Sequence, residues 1–142
     1  MDIVVDASVA FKWLVREDGS DKALRLLDRC DVIAPALLLA ECRNAILTNV
    51  RRGKLSVEAA KQIELDLDAL QIATVPTELF LSQAFVLGLR LSHPIYDCIY
   101  LAAAMATDRV LITADGNFLA KLQASVIGVD RVRMLEAIVT ES

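Results

Sequence analysis

Four acids in this chain stand apart from the others. Most of its aspartates and glutamates lie among Lys, Arg and further acids, as solvated faces do. Asp6 instead closes Ile-Val-Val and precedes Ala-Ser-Val-Ala. Glu41 sits in Leu-Leu-Leu-Ala-Glu-Cys, Asp97 in Pro-Ile-Tyr-Asp-Cys-Ile-Tyr-Leu-Ala, and Asp115 follows Val-Leu-Ile-Thr-Ala. Burying an unpaired carboxylate costs several kcal/mol. On a helix the local remedy is a cation three or four residues away. Glu41 has Leu37, Leu38, Asn44 and Ala45 at those positions, and Asp97 has His93, Pro94, Tyr100 and Leu101. Neither set contains Lys or Arg, so the balancing charge must come from elsewhere in the fold or from a metal.

Carboxylates brought together repel one another and raise each other's pKa unless a divalent cation holds them ionised. An all-oxygen set suits Mg²⁺ or Mn²⁺. Two such ions about 3.5–4 Å apart can activate a water and stabilise the leaving oxygen of a phosphodiester. If Asp6, Glu41, Asp97 and Asp115 form that set, their carboxyl carbons should lie about 4–9 Å apart. A structural alternative exists for each residue taken alone. Asp6 and Asp115 can be helix caps or turn residues after strands, and Asp97 can oppose a helix dipole. Glu41, about two turns inside an apolar helix, is the hardest to explain structurally.

The elements that must carry these acids can be read from the pattern. Asp2 to Asp6 reads as a short buried strand. Ser8 can cap a helix to about Arg16, and Ser20 a second over Asp21 to Arg29. Asp31 to Ala34 is a second strand, after which Pro35 suits a helix's first turn and apolar helical spacing continues to Arg52. Gly53 ends that helix, and Ser56 can cap a partner running to about Leu70. Ile72 to Val75 is a third strand, and Thr77 can cap a helix to about Leu91. Pro94 opens a helix through Ala106. Arg109 to Thr113 is a fourth strand, followed by a loop over 114–117, a short helix to about Gln123, and an edge strand over Arg131 to Leu135. Strands alternating with helices predict a parallel sheet of four to five strands with helices on both faces. In such sheets sites form beyond the carboxyl ends of the strands.

Composition sets the outer limits. The 142 residues, 56% of them hydrophobic and 24% charged, suit one domain over residues 1–142. No apolar run approaches the roughly 20 residues that span a bilayer, and no targeting leader precedes the first strand. The expectation is therefore a cytoplasmic protein without membrane attachment. Three cysteines without a C-x-x-C spacing read as buried free thiols, and a single histidine excludes a multi-histidine metal site within one chain. A net charge of −4 argues against simple nucleic-acid binding unless positive charge is local or supplied by metal.

In order along the chain, Val-Val-Asp-Ala-Ser-Val, Pro-Ala-Leu-Leu-Leu-Ala-Glu-Cys-Arg-Asn, Tyr-Asp-Cys-Ile-Tyr-Leu-Ala-Ala-Ala and Leu-Ile-Thr-Ala-Asp-Gly-Asn-Phe resemble the PIN-domain ribonucleases of the VapC toxin type. Each motif is weak alone, and four in order from Ile3 to about Leu122 are strong. The resemblance implies a three-layer α/β/α PIN-like domain, a Mg²⁺- or Mn²⁺-dependent endoribonuclease acting on RNA, a homodimer, and a cognate antitoxin whose tail blocks the acidic site. Carried over by position, the catalytic and metal-binding acids fall on Asp6, Glu41, Asp97 and Asp115. The family's hydroxyl residues fall on Ser8 and Thr113. Many members carry a further acid where this chain has Asn117, which can bind metal but brings no charge.

Other polar residues divide between site and surface. Asn44 and Thr48, with Arg51 or Arg52, follow Glu41 at helical spacing, either as a track toward a substrate phosphate or as a solvated face. Lys12 and Arg16 read as solvated. His93, one turn before Asp97, reads as a loop or cap residue, because a cation-activated water needs no histidine base. Trp13, Tyr96 and Tyr100 are too scattered for a base-stacking platform. The helix pair over Pro35 to Leu70 carries apolar residues (Leu37, Leu38, Leu39, Ile46, Leu47, Val50) around much of its circumference, which predicts a surface for another chain. An aspartyl phosphatase would want an acid where Ser8 stands, and a receiver-type domain would want adjacent acids after the first strand. A PIN-like domain that has kept its acids yet acts as a protein- or RNA-binding module is the remaining alternative.

Overall fold

A computed structural model describes residues 1–138. Its centre is a five-stranded sheet, all parallel, in the order β3-β2-β1-β4-β5. The strands are β1 (Asp2–Val5), β2 (Asp31–Pro35), β3 (Ala73–Val75), β4 (Val110–Thr113) and β5 (Val132–Met134). The helices are α1 (Ala7–Leu14), α2 (Ser20–Arg29), α3 (Leu37–Arg51), α4 (Val57–Ala69), α5 (Leu81–Leu91), α6 (Ile95–Ala106) and α7 (Gly116–Ser125).

The alternation of side chains along β1 shows why both faces of the sheet are covered. Val4 points into a core with Leu38, Cys42, Tyr100, Leu101 and Leu111. Ile3 and Val5 point the other way, into a second core with Val9, Ala23, Leu26 and Ile112. A β-branched run buried on both sides is what a central parallel strand requires. The resulting arrangement is the three-layer α/β/α fold. α6 is its most enclosed helix, buried continuously from Cys98 to Ala104, and it lies across β1, β2 and β4. Cys42 and Cys98 are buried and free, as expected, and burial pushes their thiols up to about 12 and about 11, whereas Cys30 is free but only half-buried.

Several local expectations are corrected. The cap of α1 is Asp6 rather than Ser8: its carboxylate accepts from the Val9 N–H, and Ser8 lies inside the first turn. Gly19, at φ 88°, precedes α2, and Ser20 is the helix's first residue. Pro35 ends β2 instead of opening α3. Thr77 caps a helix far from it in sequence: its hydroxyl accepts from the Leu37 N–H at 2.8 Å, at the start of α3. The loop after Thr113 is shorter than expected, because α7 begins at Gly116. Among the described residues, no helix is long and apolar enough to cross a membrane.

Candidate active site

The strand order reverses beside β1: β2 and β3 lie on one side of it, β4 and β5 on the other. The carboxyl ends of β1 and β4 therefore flank a topological switch point, where open α/β sheets bind ligands. Asp6 directly follows β1 and Asp115 follows β4.

Two hydroxyls lock these strand ends together. Ser8 Oγ donates to Asp6 Oδ1 and Thr113 Oγ1 donates to Asp6 Oδ2, each at 2.5 Å. Each hydroxyl oxygen in turn accepts a backbone N–H of the β4 loop, Ser8 from Ala114 at 2.9 Å and Thr113 from Asp115 at 3.0 Å. A hydroxyl has one hydrogen and two lone pairs, so both hydrogens serve Asp6 while the lone pairs hold the loop. Asp6 is only 8% exposed. Burial outweighs these hydrogen bonds and lifts its carboxyl to about 6, with the charge of Asp97 adding to the rise.

Glu41 comes from the second turn of α3, half-buried, and faces α6. The Tyr100 hydroxyl donates to its Oε1 at 2.5 Å. Burial raises the Glu41 pKa and Tyr100 lowers it, with Asp97 again adding to the rise. Tyr100 itself is pushed far above the usual phenol range, first by burial and then by the Glu41 charge. Asp97 lies in the first turn of α6, where its charge is favoured by the helix dipole. His93 Nε2 stands 2.6 Å from its Oδ2. The influence of Asp97 on both Asp6 and Glu41 marks these three as one electrostatic group. Asp115 is exposed and caps α7, with Oδ1 accepting from the Asn117 N–H at 3.0 Å. Asn117 and Asn44 are exposed at the rim.

The donor chemistry fits a hard divalent cation: oxygen only, and no Lys or Arg ion-paired to any of the four among the described residues. The side chains do not by themselves make a closed cage. Among the described residues, no three His, Cys, Asp or Glu side chains are grouped so as to hold one ion. The inner carboxylates are instead turned to Ser8, Thr113, Tyr100 and His93. Tyr100 and Lys121 are parts of this arrangement that sequence reasoning missed. The only sequence signal for Tyr100 is its place one turn after Asp97 on the same helix.

The PIN domain family model matches residues 3–122. The chain belongs to the PIN domain family. Solved structures with the same fold include PAE2754 from Pyrobaculum aerophilum (19% identity, TM-score 0.68, covering 96% of this chain and 90% of that one). They also include VapBC2 from Rickettsia felis bound to a DNA fragment from its promoter (12% identity, TM-score 0.62, covering 94% and 98%). A third is the Mycobacterium tuberculosis toxin VapC20, which cleaves the sarcin-ricin loop (21% identity, TM-score 0.61, covering 83% and 93%). No curated protein sequence matches the chain. In this PIN domain Asp6 and Asp115 both lie at the switch point of the sheet.

Proposed function

We propose that this PIN domain is a Mg²⁺- or Mn²⁺-dependent endoribonuclease, the toxin of a toxin–antitoxin pair, cutting RNA phosphodiester bonds at Asp6, Glu41, Asp97 and Asp115. The observation that carries the reading is Asp6: a carboxylate buried at the switch point, held by neutral donors alone, and burdened further by the charge of Asp97. The family match and the VapC-containing neighbours support the nuclease class.

Asp6, Glu41, Asp97 and Asp115 would hold the cation. When bound, it supplies an activated water and charge stabilisation for the leaving oxygen. The chain's own contribution is orientation. Ser8 and Thr113 fix the plane of the Asp6 carboxylate, and Tyr100 aims Glu41 from below. The docked β4 loop keeps Asp115 at the rim. Arg51, Arg52 and Lys54 are exposed together where α3 ends. They supply local positive charge for RNA phosphates in a chain of net charge −4, and Thr48, bonded to Arg51, continues that stripe toward Glu41.

The partner reading rests on two apolar surfaces. A groove of about 330 Å³ runs between α3 and α4, floored by Ile46, Leu47, Val50, Val57 and Ala60. It suits an amphipathic antitoxin helix whose basic tail reaches the acids; the Rickettsia felis neighbour and one from Klebsiella pneumoniae are toxin–antitoxin complexes. The second surface is the outer face of α5, where Phe85, Val86 and Leu89 are 53%, 53% and 68% exposed, and it suits a second copy of the chain.

The deciding experiment incubates structured RNA with the purified protein in Mg²⁺, Mn²⁺ or EDTA and resolves the products on a gel. Cleavage that needs the metal and disappears in Asp97→Asn is expected. RNA bound but uncut under every metal condition would instead make the protein a binding module.

A further inference from the structure

Lys121 lies on α7, away from the acids in sequence. Its ammonium donates to the Ser92 carbonyl at 2.9 Å and contacts His93 Nδ1 at 3.1 Å. An ammonium has donors and no acceptor. Nδ1 must therefore offer its lone pair, and the ring hydrogen belongs on Nε2. Nε2 faces Asp97 Oδ2 at 2.6 Å. Both contacts call for the same arrangement, since a carboxylate only accepts: Lys121 donates to His93, and His93 to Asp97.

The imidazole is gripped from other sides as well. The Phe118 ring lies 4.8 Å from it at a tilt of 42°. The backbone is fixed too: the His93 main-chain N–H donates to the Gly88 carbonyl at 3.1 Å. Gly88 permits this approach because a Cβ there would come within 3.1 Å of the His93 carbonyl oxygen. The His93 side chain is 13% exposed, so the contact is not a chance meeting of two solvated groups.

We propose that Lys121 and His93 are positioning residues for Asp97: Lys121 donates to Nδ1 and holds the ring in place, and the Nε2–H pins one carboxylate oxygen so that the other would be open to a cation. The proposal rests on the reading of Asp97 as a metal ligand. Partners of this kind orient a ligand and tune its basicity, and their loss typically lowers metal affinity about 10–100-fold. The relay also joins two of the four acids mechanically. Asp115 caps the helix that carries Lys121, and Asp97 opens the helix that follows His93.

His93 is the sole histidine, so in the ¹⁵N-labelled full-length protein its two ring nitrogens give unambiguous NMR signals. The expected result is a hydrogen on Nε2 and a bare Nδ1. A hydrogen on Nδ1, alone or together with one on Nε2, overturns the relay whatever the protein's activity. The second readout is Mn²⁺ binding followed by electron paramagnetic resonance, without RNA. His93→Leu and Lys121→Met should each bind Mn²⁺ about 10-fold more weakly or worse. His93→Gln, whose amide can accept from Lys121 and donate to Asp97, should keep most of the affinity. Unchanged affinity in a folded Lys121→Met overturns the positioning role even if His93→Leu fails to fold, and leaves the nuclease reading standing. No Mn²⁺ binding by the unaltered protein overturns the metal-site reading itself, while the NMR result still judges the relay.

Discussion

The two ends of the sheet treat the same residue type in opposite ways. At the amino ends of the strands, acids meet arginine. Asp31, the first residue of β2, pairs with Arg109 at 2.8 Å, and Asp108, just before β4, pairs with Arg131 at 2.7 Å. Arg109 also donates to the Ile3 and Asp31 carbonyls, tying the starts of three strands together. At the carboxyl ends, Asp6 and Glu41 meet hydroxyls, Asp97 meets an imidazole and Asp115 a backbone N–H. An acid paired with arginine is already neutralised in place. An acid held by neutral donors keeps a charge that a cation can answer. The contrast teaches that partner type, more than burial, separates a structural acid from a site acid: Asp97 and Asp31 are both substantially open, at 37% and 63%.

The contrast breaks most visibly in activity. Asp6→Asn is expected to lower metal-dependent RNA cleavage by more than about 100-fold, beyond the usual loss on removing an outer partner of a ligand, while Asp31→Asn stays close to the unaltered protein. Equal activity of the two variants in a gel assay at saturating Mg²⁺ would erase the distinction between the ends.

Stability should change next, and with pH. The Asp6 carboxyl is raised in the folded chain to about 6 from an ordinary 3.8. The folded state thus holds the extra proton between these values. Asp6's contribution is fully present below about pH 4 and is lost as pH rises through about 6, a swing of ~3 kcal/mol at 1.36 kcal/mol per unit. Metal-free protein should therefore lose stability relative to Asp6→Asn over that interval, measured by urea melts at successive pH values. Added Mn²⁺ should flatten the difference above pH 6. Parallel stability profiles for the two proteins without metal would show that Asp6 carries no such burden.

At the other end, Arg109→Met should cost roughly 1–3 kcal/mol in the same melts, because it strands carbonyls on two strands. Mn²⁺ affinity should not move. A drop in Mn²⁺ affinity would mean that the two ends are coupled through the sheet. The smallest effect belongs to Asp108→Asn. Its pair with Arg131 is 87% exposed on the Asp side, and loss of such a pair should change stability by about 0–1 kcal/mol and fade with salt.

Much of this was legible in the residues themselves. The alternation of short β-branched runs with helical spacing predicted a parallel sheet of four to five strands, and the structure has five, with β5 at an edge. The four acids stood out because they sit in apolar runs, and neither Glu41 nor Asp97 has a Lys or Arg at helical spacing. Details that depend on the exact backbone path were less legible. Ser8 and Asp6 both suit a cap, and only the turn after β1 decides that Asp6 takes the role while Ser8 turns back to donate to it. Likewise Thr77 has the composition of a local cap, yet the pairing of β2 with β3 carries it to the start of α3.

Sequence alone determined that no Lys or Arg lies within local reach of Glu41 or Asp97, because spacing along a helix fixes which neighbours are within reach. What satisfies them was decided by the tertiary structure. Thr113 reaches Asp6 because β4 lies beside β1, Tyr100 reaches Glu41 because α6 and α3 share one face of the sheet, and Lys121 reaches His93 because α7 closes over the turn before α6. Strand order and helix packing set these meetings across 107, 59 and 28 residues of chain, distances at which composition and periodicity carry no information about contact.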